Sequence, residues 1–373
     1  MIMPGRFKLF VTCFVLSISL GTNTLIAQML RDSNSSNLIK KNIDCIYNLQ
    51  FEDAHEIYIK IKKTYPSPPA LFLLSGLSTY WQNYPLLYTN SAHISFEEDL
   101  RQCIRLSEKN KNKAFEAEYL LTNLCARGML LKFYDDNNHI LEVIPLVTST
   151  YKYLRHSFDL ADACKDLNYY TGAYNFYREA YPEVYPVYKP LALLLPSGNK
   201  EKGLKELHYA AINSIVLRAE SYFFLATIYL NFENKYEKSI IYCKTLHVMY
   251  PDNVAYLALY LKNLMLLKRY DETEKLINAY KNETGNEFSQ AQLLVFEGLL
   301  YEKKYHDYNH ALELYHSGIS KISTFGQYGN ECIAYAYFGM SRISYINSDK
   351  VAGKKLHQKA MSLGNFKKIN FDE

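Results

Sequence analysis

The sequence predicts an all-α chain, a superhelical solenoid of antiparallel helix pairs, and three observations predict it. Small residues recur inside apolar runs at Ala54, Ser239, Thr273, Ala311 and Ala352, each with a larger side chain four positions later at Tyr58, Cys243, Ile277, Tyr315 and Leu356. An aromatic residue stands three before four of them, and two of these, Tyr236 and Tyr270, lie 34 residues apart. Side chains three and four apart share a helix face, and a repeat of about 34 residues is that of stacked helix–turn–helix units. Third, Pro66, Pro251, Gly285 and Gly364 fall where second helices should stop.

Taken in order, residues 1–27 read as a cleaved secretory signal: Arg6 and Lys8, an apolar run from Leu9 to Leu20, then Thr22 to Ala27 ending on a small residue before Gln28. An uncleaved inner-membrane anchor is the rival reading. Cys13 lies inside the apolar run, so lipid attachment is disfavoured. A small residue followed by Gln resembles the cleavage sites of gram-negative envelope proteins, which implies an exported protein, periplasmic or outer-membrane-associated. Residues 28–37 are then a linker.

Removing the leader leaves 40 basic against 38 acidic side chains, so bulk charge recruits neither nucleic acid nor anionic lipid. Thirty-five tyrosines against one tryptophan make tyrosine the usual large core residue of this 373-residue chain. The six cysteines after the leader are scattered singly in apolar helical contexts, which predicts buried free thiols.

Residues 38–110 hold two degenerate units. Phe51, Ala54, Tyr58 and Pro66 form the second helix of the first; Pro68 and Pro69 open a helix carrying Leu71, Leu74, Gly76 and Tyr80, whose partner starts near Phe96 after a loop from Asn83 to Ser95. Residues 111–218 depart from the pattern: a helix over Lys113–Phe133, a turn at Asp135–Asn138, then helices over Ile140–Val147 and Tyr151–Leu167, with Pro145 at a start or kink. Within this block, residues 169–200 are rich in tyrosine and proline. Pro182, Pro186 and Pro190 predict a helix ending near Tyr181 and an extended, tyrosine-lined loop beyond it.

Residues 219–373 repeat most regularly. Tyr222, Leu225, Ala226 and Tyr229 precede Tyr236, Ser239, Cys243, Leu246 and Pro251; later units carry Tyr270, Thr273 and Ile277, then Gly298, Tyr308, Ala311 and Tyr315, then Tyr335, Gly339, Ala352 and Leu356. These positions resemble the tetratricopeptide repeat family. Ala226 to Ser239, Gly298 to Ala311 and Gly339 to Ala352 are each 13 apart, one more than the family norm, which predicts longer loops within the pairs. The resemblance implies a groove lined by first helices that binds peptides or helices. The corresponding face runs through Phe223, Thr227, Leu230, Ala258, Lys262 and Met265. Lys262 and Asn263 are the only remnant of the family's carboxylate clamp, so an apolar helix or extended segment is the expected partner.

No phosphate loop, nucleophile elbow or zincin motif occurs, and a non-enzymatic protein with no cofactor is expected. His306 and His310 read as solvent-facing rather than as a zinc pair, and Asp135–Asn138 as a solvated turn rather than a calcium loop, so no metal is expected either. The predicted function is a protein-interaction scaffold in the bacterial envelope. Two alternatives stay open: a glycan-binding accessory protein using Tyr174, Tyr177, Tyr181, Tyr185 and Tyr188 as an aromatic platform, and a structural envelope component.

Overall fold

The computed structural model describes residues 30, 32–65, 68–109, 112–282, 285–363 and 371–372, and the predicted signal, Pro66 and Gly364 lie outside them. The described chain is all-helical. Helices α1 (Ser33–Tyr47) and α2 (Phe51–Thr64) form the first pair, followed by α3 (Pro69–Gln82) with α4 (Ala92–Lys109), and α5 (Glu116–Asp136) with α6 (Ile140–Leu160). The fourth pair is α7 (Leu167–Val184) and α9 (Lys200–Asn213), with short α8 (Lys189–Leu193) between them. Four further pairs follow: α10 (Arg218–Thr227) with α11 (Tyr236–Met249), α12 (Val254–Leu266) with α13 (Tyr270–Tyr280), α14 (Glu287–Leu300) with α15 (Tyr308–Ile322), and α16 (Asn330–Ile346) with α17 (Lys350–Leu363). Each helix packs chiefly on its neighbours in the chain.

Six turns within pairs share one backbone device. Leu49, Asn138, Asn234, Lys268, His306 and Ser348 take left-handed φ values between 52° and 65°. The next residue returns its N–H to the first helix over five positions, Gln50 to Cys45 O, His139 to Tyr134 O, Arg269 to Leu264 O and Asp349 to Ser344 O, at 2.8–2.9 Å. Carbonyls that a helix end would leave bare are thereby bonded. After α10 and α14 the return bond spans six positions, from Lys235 to Tyr229 O and from Asp307 to Tyr301 O, because Ile228–Phe232 and Tyr301–Tyr305 are π-helical. The extra residue expected in the loops at Ala226–Ser239 and Gly298–Ala311 is therefore absorbed into the end of the first helix.

The small residues sit where helices cross. Ala54, Ser239, Thr273 and Ala311 are buried, whereas Ala352 is half-buried on the last described helix. At the crossing of α7 and α9, a Cβ on Gly172 would lie 2.9 Å from Gly203 O, and one on Gly203 would lie 2.7 Å from Gly172 O. Only glycine allows that approach. Asp166, which is buried, fastens the next junction by accepting the N–H groups of Ile215, Val216 and Leu217 at 3.1, 2.7 and 2.8 Å.

Several boundaries differ from the sequence expectations. Asp32 caps α1 by accepting the Ser35 N–H at 2.8 Å, so Ser33–Asn37 are helical rather than linker. Helix α4 begins at Ala92, before Phe96; α5 runs on to Asp136, after a short 3-10 turn at Lys113–Phe115; α13 stops at Tyr280, ahead of Gly285. Pro145 lies inside α6 without breaking it. The lost bond belongs to the carbonyl of Leu141, a residue 84% exposed, so solvent replaces the partner. Pro182 sits in the last turn of α7, Pro186 opens a 3-10 turn at Pro186–Tyr188, and Pro190 is second in α8. The extended loop expected there is thus helical: Pro186 and Pro190 occupy first-turn positions, where a missing N–H costs nothing.

Helices α1 and α3 also reach across to the second half of the chain. Asp44 accepts from Arg218 Nη2 and Tyr250 OH at 2.7 Å each, Tyr47 O from Asn253 Nδ2 at 2.9 Å, and Tyr84 O from Asn286 Nδ2 at 2.7 Å. The rings of Tyr47, Trp81, Tyr84, Tyr256 and Phe288 meet among these bonds at centroid separations of 5.0–6.1 Å.

Candidate binding face on the first helices

The six residues expected along a first-helix groove fall into two groups. Leu230, Lys262 and Met265 are buried, while Phe223, Thr227 and Ala258 are half-buried. Phe223 stacks toward Tyr256, with centroids 6.4 Å apart, beside the cluster that α1 and α3 bring in. The N-terminal helices therefore fill the Phe223 end of this face.

Lys262 is committed rather than available. Its ammonium donates to Glu331 Oε1 at 2.6 Å, bridging α12 to α16, and lies 5.6 Å from the centre of the Tyr335 ring. Burial alone would raise the Glu331 carboxyl, but Lys262 and the Tyr335 hydroxyl outweigh it and hold the group below the ordinary carboxylate range. Asn263 donates its amide to Leu259 O at 2.9 Å, and its Oδ1 is buried without a hydrogen-bond partner in the described structure.

Between α12 and α14, Val254, Ala258 and Leu261 from one helix and Ser289, Gln292 and Phe296 from the other line a closely packed apolar seam with no room for a water molecule. Gln292 Oε1 is buried there without a hydrogen-bond partner in the described structure. A buried acceptor without a partner costs free energy.

Compared with known families and curated proteins, the chain matches no family model and no curated sequence.

The tyrosines of the platform reading are dispersed. Tyr174 donates its hydroxyl to Pro196 O at 2.7 Å and packs edge-on against Phe158. Tyr177 meets Phe176, Phe224 and Phe232 edge-on, and Tyr181 pairs with Tyr185 at 4.8 Å. The Tyr188 side chain lies outside the described set. Tyr174 and Tyr177 hold the fold, which leaves Tyr181 the most exposed ring of the described four.

Among the described residues no cluster of three or more His, Cys, Asp or Glu side chains is arranged to hold a metal ion. His306 occupies a left-handed turn position, and His310 faces Glu313 at 3.4 Å. In the acidic turn, Asn137 is structural: its Oδ1 accepts from Tyr88 N at 2.9 Å and its Nδ2 donates to Leu86 O at 3.2 Å. All six described cysteines are free, five of them buried, and burial pushes the thiols of Cys103, Cys164, Cys243 and Cys332 up to about 12. No described helix is long and apolar enough to cross a membrane.

Three features were not singled out from the sequence. Glu220 accepts the Tyr47 hydroxyl on Oε1 while its Oε2 is sealed without a partner. Ile140, Leu141 and Ile144 expose a stripe on α6, as do Val187, Leu193 and Leu194 around α8. Phe371, near the end of the chain, is buried against α16. Helical spacing gives a signal for the stripe alone; the other two depend on contacts between distant parts of the chain.

Proposed function

We propose that this protein is an exported, non-enzymatic scaffold of the tetratricopeptide kind, whose concave first-helix face binds an extended or helical segment of an envelope protein. The observation that carries the reading is the apolar seam between α12 and α14, both first helices, where half-buried Ala258 and Gln292 lie on the face. Support for the architecture comes from the turn device repeated in six pairs and from small residues buried at the crossings. Support for export comes from the leader pattern of Arg6, Lys8 and the apolar run after them. The binding site is shorter than the repeat pattern implies, because α1 and α3 occupy the face near Phe223 and leave the α12 to α16 end for a partner.

A photoreactive residue placed at Ala258 in cells tests this directly. It should capture one envelope protein repeatedly, and Gln292→Arg, which puts a long charged side chain on the same half-buried seam, should abolish capture with the thermal transition unchanged. Recovery of nothing from Ala258, or capture indifferent to the arginine, would sink the reading.

A further inference from the structure

The groove end at α16 already holds a ligand, and it belongs to the same chain. Phe371 is only 6% exposed and meets the Tyr335 ring edge-on at 5.0 Å. Tyr335 is the ring over which Lys262 lies, and Lys262 follows Leu261 of the α12–α14 seam, so Phe371 sits at one end of the surface proposed to bind a partner. Asp372, the next residue, accepts from Arg342 Nη1 at 3.2 Å.

Arg342 is built for that contact. Its Nε and Nη2 donate to Glu302 Oε1 and Oε2 at 2.6 and 2.9 Å, and Glu302 Oε2 also accepts the hydroxyl of the fully buried Tyr315 at 2.6 Å. A guanidinium fixed through two of its nitrogens presents the third in one direction, so little side-chain freedom is lost when a carboxylate arrives. Tyr335 is fixed in the same way, its hydroxyl donating to Glu331 Oε1 at 2.7 Å. An aromatic seat and a carboxylate seat therefore stand next to each other, both rigid before anything binds.

We propose that Phe371–Asp372 is an intramolecular ligand of this site, and that the partner is an extended segment carrying an aromatic residue beside an acidic one, which binds by displacing it. The inference rests on the groove reading above and adds how access to the groove is regulated. A tethered segment competes at an effective concentration on the order of millimolar. A free peptide of the same composition binds weakly while the tail is seated.

The test uses the full chain and a labelled synthetic peptide of residues 364–373, titrated by fluorescence anisotropy. The peptide should bind the Phe371→Ala/Asp372→Ala protein at least about tenfold more tightly than the wild type, since the competitor is gone. Peptides carrying Phe371→Ala or Asp372→Asn should lose that affinity, a comparison that leaves the folded protein untouched. Equal binding to both proteins, or equal binding of the altered peptides, overturns the inference. The outcomes separate from those of the groove reading: capture at Ala258 with no discrimination by the tail peptide removes only the inference. Tight, discriminating peptide binding with no capture at Ala258 supports the inference and removes the envelope partner.

Discussion

Glu220 shows at the residue scale how a carboxyl is carried inside a tyrosine-rich contact. Burial pushes it up to about 8, although its own backbone N–H acts in the opposite direction. A raised carboxyl binds a proton in the folded state that the unfolded chain has already released, so the stability it contributes is complete below the unfolded value near 4.5 and is lost as pH rises to about 8. Glu220→Gln removes that dependence and keeps an acceptor for Tyr47. Chemical denaturation of both proteins should show the wild type falling behind the variant between these pH values, by a few kcal/mol at most, since each tenfold change in proton affinity is worth about 1.4 kcal/mol. Two stability curves that run parallel with pH would remove Glu220 as the cause. The sequence offers no sign of this group, since a glutamate in the first turn of a helix is ordinarily a solvated charge.

At the scale of elements, the repeated turn is set by backbone conformation rather than by residue type. The six left-handed positions hold Leu, Asn, Asn, Lys, His and Ser, of which the two asparagines and the histidine are expected to favour that region. Lys268 is exposed, so Lys268→Gly should stabilise the protein by about 0.5–1 kcal/mol through relief of backbone strain, without loss of packing. A lowered denaturation midpoint would show that Lys268 contributes contacts that outweigh the strain. Helix existence was legible here from the three-and-four spacing of apolar residues, and the excess residue in two of the three 13-residue spacings was legible too, whereas Gly339–Ala352 has the ordinary five-position turn. Its location was not, because a π-turn and a longer loop consume the same number of residues. Prolines misled for a related reason: a proline in the first turn of a helix lacks only a bond the helix does not need, and sequence alone does not say which turn it occupies.

At the scale of the molecule, the closure of α1 and α3 onto α10, α12 and α14 joins parts of the chain about 200 residues apart, as between Tyr84 and Asn286. Trp81, the single tryptophan, lies in that contact against Tyr47 and Tyr256 and reports on it. Its fluorescence should change together with far-ultraviolet circular dichroism during denaturation of the wild type. Asp44→Ala removes the acceptor shared by Arg218 and Tyr250, about 1–3 kcal/mol, and should move the Trp81 transition ahead of the helical one. An unchanged, coincident transition would mean that the rings hold the contact without the ion pair. The same closure covers the first-helix face near Phe223.

The sequence by itself determined that the described chain is helical, where most helices lie and that Ala54, Ser239, Thr273 and Ala311 are buried within them, because these follow from periodicities of three and four within about 40 residues. It pointed to the first helices as a candidate face but placed Leu230, Lys262 and Met265 on it as though they were accessible, whereas all three are buried. Only the tertiary structure decided that α1 and α3 cover part of that face, that Lys262 is spent on Glu331, and that Phe371 and Asp372 rest on Tyr335 and Arg342. Those contacts join residues up to about 200 positions apart through side-chain packing and charge. Such pairings leave no periodic trace along a single chain.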